Sequence, residues 1–169
     1  MEAIFNRRSI RKYSGEKVEE SKIEKMLRAA MQAPSAGNQQ AWEFVVIRDK
    51  EMLKKLSEVS QYSKMAANAD VVIVVLANEE YMRYPLYWQQ DLGAATENMM
   101  LQAVTEGLGS VWIAAAPRED RIATMRKILS LPKTVIPFCM VAVGYPDQEV
   151  KTADKWDANK VHYEEYKQS

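Results

Sequence analysis

This chain has almost none of the residues on which hydrolytic and metal chemistry is usually built. It holds one cysteine and one histidine in 169 residues. A single cysteine excludes an intramolecular disulfide framework. Cys139 also lies in an apolar run, Phe138-Cys139-Met140-Val141, where a buried, inert thiol is expected. His162 stands alone in a polar C-terminal stretch and reads as a surface or interface residue rather than a base. No cluster of His, Cys and carboxylates has metal-ligand spacing, so no metal site is expected. There is no Gly-x-Ser-x-Gly elbow, no phosphate-binding P-loop and no Rossmann glycine fingerprint. Charge of one sign is missing as well: 23 Lys and Arg balance 23 Asp and Glu, which argues against a nucleic-acid binder acting through bulk charge. No apolar run reaches the length of a membrane span. The charges at Glu2, Arg7, Arg8, Arg11 and Lys12 have no hydrophobic region behind them, so no signal peptide is expected and the expected location is cytoplasmic. If the chain is an enzyme, a bound organic cofactor has to supply the reactivity.

What is present is a sequence of one-domain length with room for a real core. Ile23, Met26, Leu27, Ala30 and Met31 form a helical stripe over 19–31, ended by Pro34. Residues 43–48 predict a short strand, and Asp49 is placed to cap a helix with Met52, Leu53 and Leu56 on one face. The run 71–77 is apolar at every position and predicts a central strand covered on both sides. A long helix follows from near Pro85 to about Glu106. It is apolar around much of its circumference, which suits a core or a subunit interface. Gly107 and Gly109 stop it, one of them as a left-handed cap. A strand over 110–114, an amphipathic helix over 118–129 and a strand over 138–143 begun by Pro137 complete the pattern, which fits α/β or α+β. The ten methionines fall mostly at helical core positions. Residues 147–169 are polar, with Trp156, Val161, His162, Tyr163 and Tyr166 scattered among them. This is either a loose tail or an arm laid on another surface, and the aromatics favour the arm.

Two stretches carry possible chemistry. Arg7, Arg8, Ser9 and Arg11 follow a short N-terminal helix, and guanidinium groups with a hydroxyl suit a phosphate. Alone, such a run reads as a solvated basic N-terminus. Pro34-Ser35-Ala36-Gly37-Asn38-Gln39-Gln40-Ala41-Trp42 links a helix to a strand with small residues and amides, and can bring backbone N–H groups close to a flat polar ligand.

Together, these stretches resemble the FMN-dependent nitroreductase family. Further matches follow in order: Ser63-Lys64-Met65 before the 71–77 strand; Ala94-Ala95-Thr96-Glu97-Asn98 with Leu101 and Ala103; Gly107-Leu108-Gly109-Ser110-Val111-Trp112-Ile113; Leu129-Ser130-Leu131-Pro132 with Pro137 and Gly144-Tyr145-Pro146; and Asp154-Lys155-Trp156 with Val161-His162-Tyr163. The resemblance spans nearly the whole chain.

It implies a single α+β domain over 1–169, a three-layer α-β-α fold with a mostly antiparallel sheet of four or five strands. It further implies an intertwined homodimer that exchanges a C-terminal arm, 147–169, and holds two FMN sites at its interface. Arg7, Arg8, Ser9 and Arg11 would hold phosphate and ribityl groups. Pro34, Ser35, Ala36 and Asn38 of the other protomer would border the flavin. Gln61 and Lys64 would approach the pyrimidine edge, where Lys64 would stabilise reduced-flavin charge. Backbone at Ala114 and Ala115, in the segment up to Pro117, would face flavin N5, and Lys155 stands where the family commonly has a phosphate-binding Arg. No side-chain catalyst is implied.

The implied activity is NAD(P)H-dependent reduction of nitroaromatic or quinone acceptors by ping-pong hydride transfer through flavin N5. The alternatives are a flavin-storing or flavin-sensing protein, or a family enzyme working by dehalogenation, enone reduction or flavin fragmentation. Asn98, Trp42 and Trp112 are expected to be structural. Tyr81, Tyr84, Tyr87 and Trp88 either roof an aromatic substrate or pack a dimer. Ala41 replaces a usual Pro, and Lys155 trades a bidentate contact for a point charge.

Overall fold

The computed structural model describes residues 2–152 and 154–166. Its centre is a four-stranded sheet in the order β1-β2-β4-β3, antiparallel throughout: β1 (Trp42–Ile47), β2 (Val71–Asn78), β3 (Gly109–Ala114) and β4 (Val135–Gly144). All eight residues of β2 are buried. A strand so apolar cannot alternate inside and outside, so both sheet faces must be covered. Helices α2 (Glu20–Met31) and α4 (Trp88–Thr105) pack together as one layer, with α1 (Glu2–Asn6) against α4. Helices α3 (Lys50–Ser57) and α5 (Glu119–Leu129) pack together, with α5 on β4.

The local signals that predicted these elements operate as expected. Asp49 caps α3 by accepting the Met52 N–H at 2.9 Å. Gly107 takes φ 74° just past the end of α4. Asn98 is structural: its Nδ2 donates to the Ala29 carbonyl at 3.3 Å and ties α4 to α2. Trp42 is buried, and Trp112 packs edge-on against Phe138 with ring centres 5.5 Å apart. Met26, Met99, Met100, Met125 and Met140 lie in the core. Arg48 and Asp70 form an ion pair that also fastens the Val18 backbone, through Val18 N–H to Asp70 at 2.9 Å and Arg48 to the Val18 carbonyl at 2.7 Å.

Most boundaries shift by a few residues, and the one with a structural consequence is that of β4. β4 starts at Val135 rather than after Pro137, so the proline lies inside the strand. The pairing with β2 jumps from Val75↔Cys139 to Leu76↔Pro137, leaving Phe138 as an extra bulged residue. β3 pairs only as far as Cys139, so the missing proline N–H interrupts no ladder on that side. The freed Phe138 carbonyl instead accepts the N–H groups of Ala115 and Ala116, at 3.0 and 2.9 Å. The bulge therefore fixes the turn that leaves β3. No strand of the described residues is formed by the segment after Pro146. Its first part is tied to the N-terminal segment, where the Gln148 side-chain oxygen accepts the backbone N–H groups of Arg11 and Lys12 at 2.8 and 2.9 Å.

Candidate functional site

The basic N-terminal run lies along the edge of the sheet. Ser9 bridges Ser110 in parallel, and the Ile10 N–H donates to the Ser110 carbonyl at 2.9 Å. This close approach requires Gly109: a Cβ there would stand 2.7 Å from Ile10 Cβ. The edge of β3 thereby sets the cationic residues on either side of Ser9. Arg7 and Arg8 face a cleft of about 360 Å³ shared with Ile4, Phe5, Asp154, Lys155 and Trp156. Arg11 opens on a second cleft of about 500 Å³, with Gln61 and the β3 residues up to Ala114. An extended chain covers at most about 10 Å between residues 8 and 11, so the cations of the two clefts are close along the run.

The cations are not equivalent. Arg7 is paired with Glu97 of α4 at 3.2 Å. Arg8 donates to the carbonyls of Phe5, Arg7 and Lys151, at 2.9, 2.6 and 3.2 Å, and so joins the N-terminus to the C-terminal segment. Arg11 is exposed, and among the described residues its side chain donates to the Ser9 carbonyl at 3.4 Å. Lys64 begins a short 3-10 turn, is exposed, and is not among the residues lining the Arg11–Gln61 cleft.

A different cation does line that cleft. Arg121 of α5 donates to the Ala114 carbonyl at 2.9 Å, and its guanidinium lies 5.9 Å from the centre of the Tyr62 ring. The amphipathic pattern of 118–129 marks its inner face and gives no sign that Arg121 reaches the end of β3. Ala115 is buried beneath this turn, its N–H bound to Phe138.

The amide loop sits elsewhere. It forms a 3-10 turn over Ala36–Asn38, with positive φ at Gly37, Asn38 and Gln40 (54°, 55° and 49°). Ser35 Oγ accepts the Gln40 N–H at 3.1 Å, and Pro34 is exposed. Asn38 lines a cleft of about 420 Å³ with Gln39, Gln40 and residues Glu80, Tyr81, Met82 and Arg83. Neither basic cleft includes a loop residue. The aromatic group splits in two. Trp88 packs edge-on against Phe138, ring centres 5.8 Å apart, whereas Tyr81, Tyr84 and Tyr87 stay about half exposed.

No group of His, Cys and carboxylates among the described residues could hold a metal ion. The Cys139 thiol is fully buried beside the Thr96 hydroxyl at 3.6 Å, and burial pushes its pKa up to about 12. It is inert at neutral pH. His162 lies against Tyr166 with ring centres 4.5 Å apart and the rings tilted by 42°, in the C-terminal segment.

A family model described as the nitroreductase family matches residues 4–63 and 60–145. The chain belongs to the nitroreductase family. A protein of Archaeoglobus fulgidus, provisionally named NADH dehydrogenase/NAD(P)H nitroreductase, is 44% identical over 98% of both chains. A Clostridium acetobutylicum structure provisionally named an NADH oxidase superposes with a TM-score of 0.95, at 50% identity, covering 97% of this chain and 99% of that one. A Desulfovibrio desulfuricans structure, provisionally named a nitroreductase and described in complex with FMN, has a TM-score of 0.85 at 30% identity, with 98% and 96% coverage. The nitroreductase fold is thus shared along the chain. The donor set suits the family's flavin: cations in one cleft for a phosphate, and a side-chain amide with strand backbone in the next for a flat polar ring. No helix of the described residues is long and apolar enough to cross a membrane.

Proposed function

We propose that this nitroreductase-family protein is an FMN-dependent oxidoreductase that uses NADH or NADPH to reduce nitroaromatic or quinone-type acceptors. The observation that supports this reading is the placement of residues 7–11 along β3, with Arg7, Arg8 and Lys155 lining one cleft and Arg11 and Gln61 another. FMN, when bound, would supply the redox chemistry between nicotinamide and acceptor, and one shared binding face for the two would give ping-pong kinetics.

The chain's own residues bind and orient. Arg8, Ser9 and Lys155 serve the phosphate end, with Arg7 held to Glu97 beside them. Arg11, lining the neighbouring cleft, serves the phosphate and ribityl groups from that side, Gln61 serves the ring, and the Ala114–Ala115 turn is braced by Phe138 and Arg121. Lys64, next in sequence to the cleft-lining Met65, offers a further exposed cation. Pro34, Ser35, Ala36 and Asn38 complete the site from a second copy, because within one chain the loop lines a separate cleft. A homodimer also accounts for large exposed apolar groups: Ile4 and Phe5 of α1, Leu86 before α4, and Trp156 in the segment 147–169, which acts as an exchanged arm.

Purified protein should be yellow, dimeric by light scattering and close to one FMN per chain. Anaerobic addition of NADH or NADPH should bleach it, and a nitroaromatic or quinone should restore the colour. A yellow protein that neither nicotinamide bleaches would point to storage or sensing. A protein that takes up no FMN would end the proposal.

A further inference from the structure

The amide loop is held by a buried carboxylate that lies outside every motif of the family resemblance. Asp91, in the first turns of α4, is only 5% exposed. Its Oδ1 accepts the Ala36 N–H at 2.9 Å, and its Oδ2 accepts the Gln39 side-chain NH2 at 2.6 Å. Gln39 is itself buried, at 8% exposure, and turns its other end to the aromatic segment. Its Oε1 accepts the Tyr84 N–H at 2.9 Å, and its Nε2 also lies 3.3 Å from the Tyr84 carbonyl. The contact continues at the surface, where the Tyr84 ring covers Gly37 so closely that a Cβ would stand 2.2 Å from Tyr84 Cε2. One carboxylate, one amide and one backbone segment thus fasten the loop to α4 and to the tyrosines together.

We propose that Gln39 and Asp91 are positioning residues that lock the loop and the Tyr84 segment into a single unit, fixing how the loop meets the flavin of the partner subunit. The inference rests on the FMN reading given above. Its physical basis is the direction of each hydrogen bond. A carboxylate only accepts, so both of its oxygens can face donors from the loop. An amide offers one acceptor and two donors, so Gln39 can give to Asp91 and accept from Tyr84 at once. Neither role survives an isosteric exchange. Asp91→Asn turns an NH2 toward either the Ala36 N–H or the Gln39 NH2, donor against donor. Gln39→Glu sets two carboxylates face to face. The double exchange restores both bonds at position 91 and the bond from the Tyr84 N–H, and gives up only the longer one to the Tyr84 carbonyl. The amide now at position 91 accepts the Ala36 N–H through its oxygen and donates its NH2 to the carboxylate now at position 39. That carboxylate still accepts the Tyr84 N–H.

The test measures FMN dissociation constants by fluorescence quenching for wild type, D91N, Q39E, the double variant and Q39A, with thermal unfolding of each. Each single exchange should weaken FMN binding about tenfold, the cost of opposing buried donors or acceptors. Q39A, which leaves α4 untouched, should show the same loss. The double variant should recover to within about threefold of wild type. With FMN saturating, the single exchanges should raise KM for an aromatic acceptor more than they lower kcat. Unchanged FMN affinity with only a lowered Tm would overturn the proposal, and so would a double variant no better than the worse single one. Wild-type protein that binds no FMN would instead defeat the functional reading on which the inference stands.

Discussion

The side chain of Ile10 occupies the space that a Cβ on Gly109 would need, 2.7 Å from its own Cβ. The N-terminal segment therefore lies directly on the first residue of β3, and the cationic residues on either side of Ser9 take their positions from that contact. Gly109→Ala forces the segment off the strand. We expect FMN binding to weaken about tenfold and stability to fall by about 1–3 kcal/mol, the usual cost of overpacking. Titration with FMN and denaturant unfolding of the same variant check both.

The arginines of the run should differ in effect. Arg11 makes a long bond to a carbonyl among the described residues, whereas Arg7 is engaged by Glu97. Loss of a charge-assisted contact is typically worth about tenfold or more in affinity. Arg11→Ala should therefore weaken FMN binding more than Arg7→Ala, and should reduce its salt dependence. Equal affinities for the two variants, measured at low and high ionic strength, would count against assigning Arg11 to the ligand.

Arg121 spends one donor on the Ala114 carbonyl, and no ion pair of it is found among the described residues. It stands in the cleft with Arg11 and has donors to spare for an anionic acceptor. Arg121→Ala should raise KM for a nitrobenzoate severalfold more than for uncharged nitrobenzene, since a solvent-screened charge contact contributes up to about 1 kcal/mol. Steady-state kinetics with the two acceptors compare them directly.

Alkaline conditions should loosen the fold in a defined window. The Cys139 thiol is pushed up to about 12 from its ordinary 9.0 by burial. Burial also raises the Tyr13 hydroxyl, which bonds the Ile10 and Ala142 carbonyls at 2.8 and 3.1 Å. Both groups are acids favoured in their neutral form by folding. Their contribution is complete below the unfolded pKa and is lost as pH rises toward the folded one. Urea midpoints should be flat around neutrality and fall steadily above about pH 9, less steeply in Cys139→Ala. At pH 8 the native thiol should resist a disulfide reagent and react once the chain is unfolded.

The elements are legible in the sequence because their signals are local. Every residue of 71–77 is apolar, so this strand could only be a central one. Asp49 has an unsatisfied helix start directly after it. The stripe from Ile23 to Met31 repeats at the helical period. Pro137 reads as a strand start and is not one, because its tolerance inside β4 depends on a bulge opposite Val75 and on the end of β3, neither of which is encoded near residue 137. The motifs at 7–11, 34–42 and 107–113 point to particular segments for the same local reason, since each is a contiguous run of the types that bind or turn.

The sequence by itself determined the strands and helices, the lack of any spaced set of metal ligands or nucleophile motif, and the segments proposed for a flavin site. Tertiary structure decided which residues share a cleft: Arg121 beside Arg11, Lys155 beside Arg8, and Asp91 under Gln39, with Lys64 outside. Periodicity and capping act within a few residues and can be read along the chain. Hydrogen bonds between residues 52 positions apart, like that from Gln39 to Asp91, exist only once the sheet has brought their elements together.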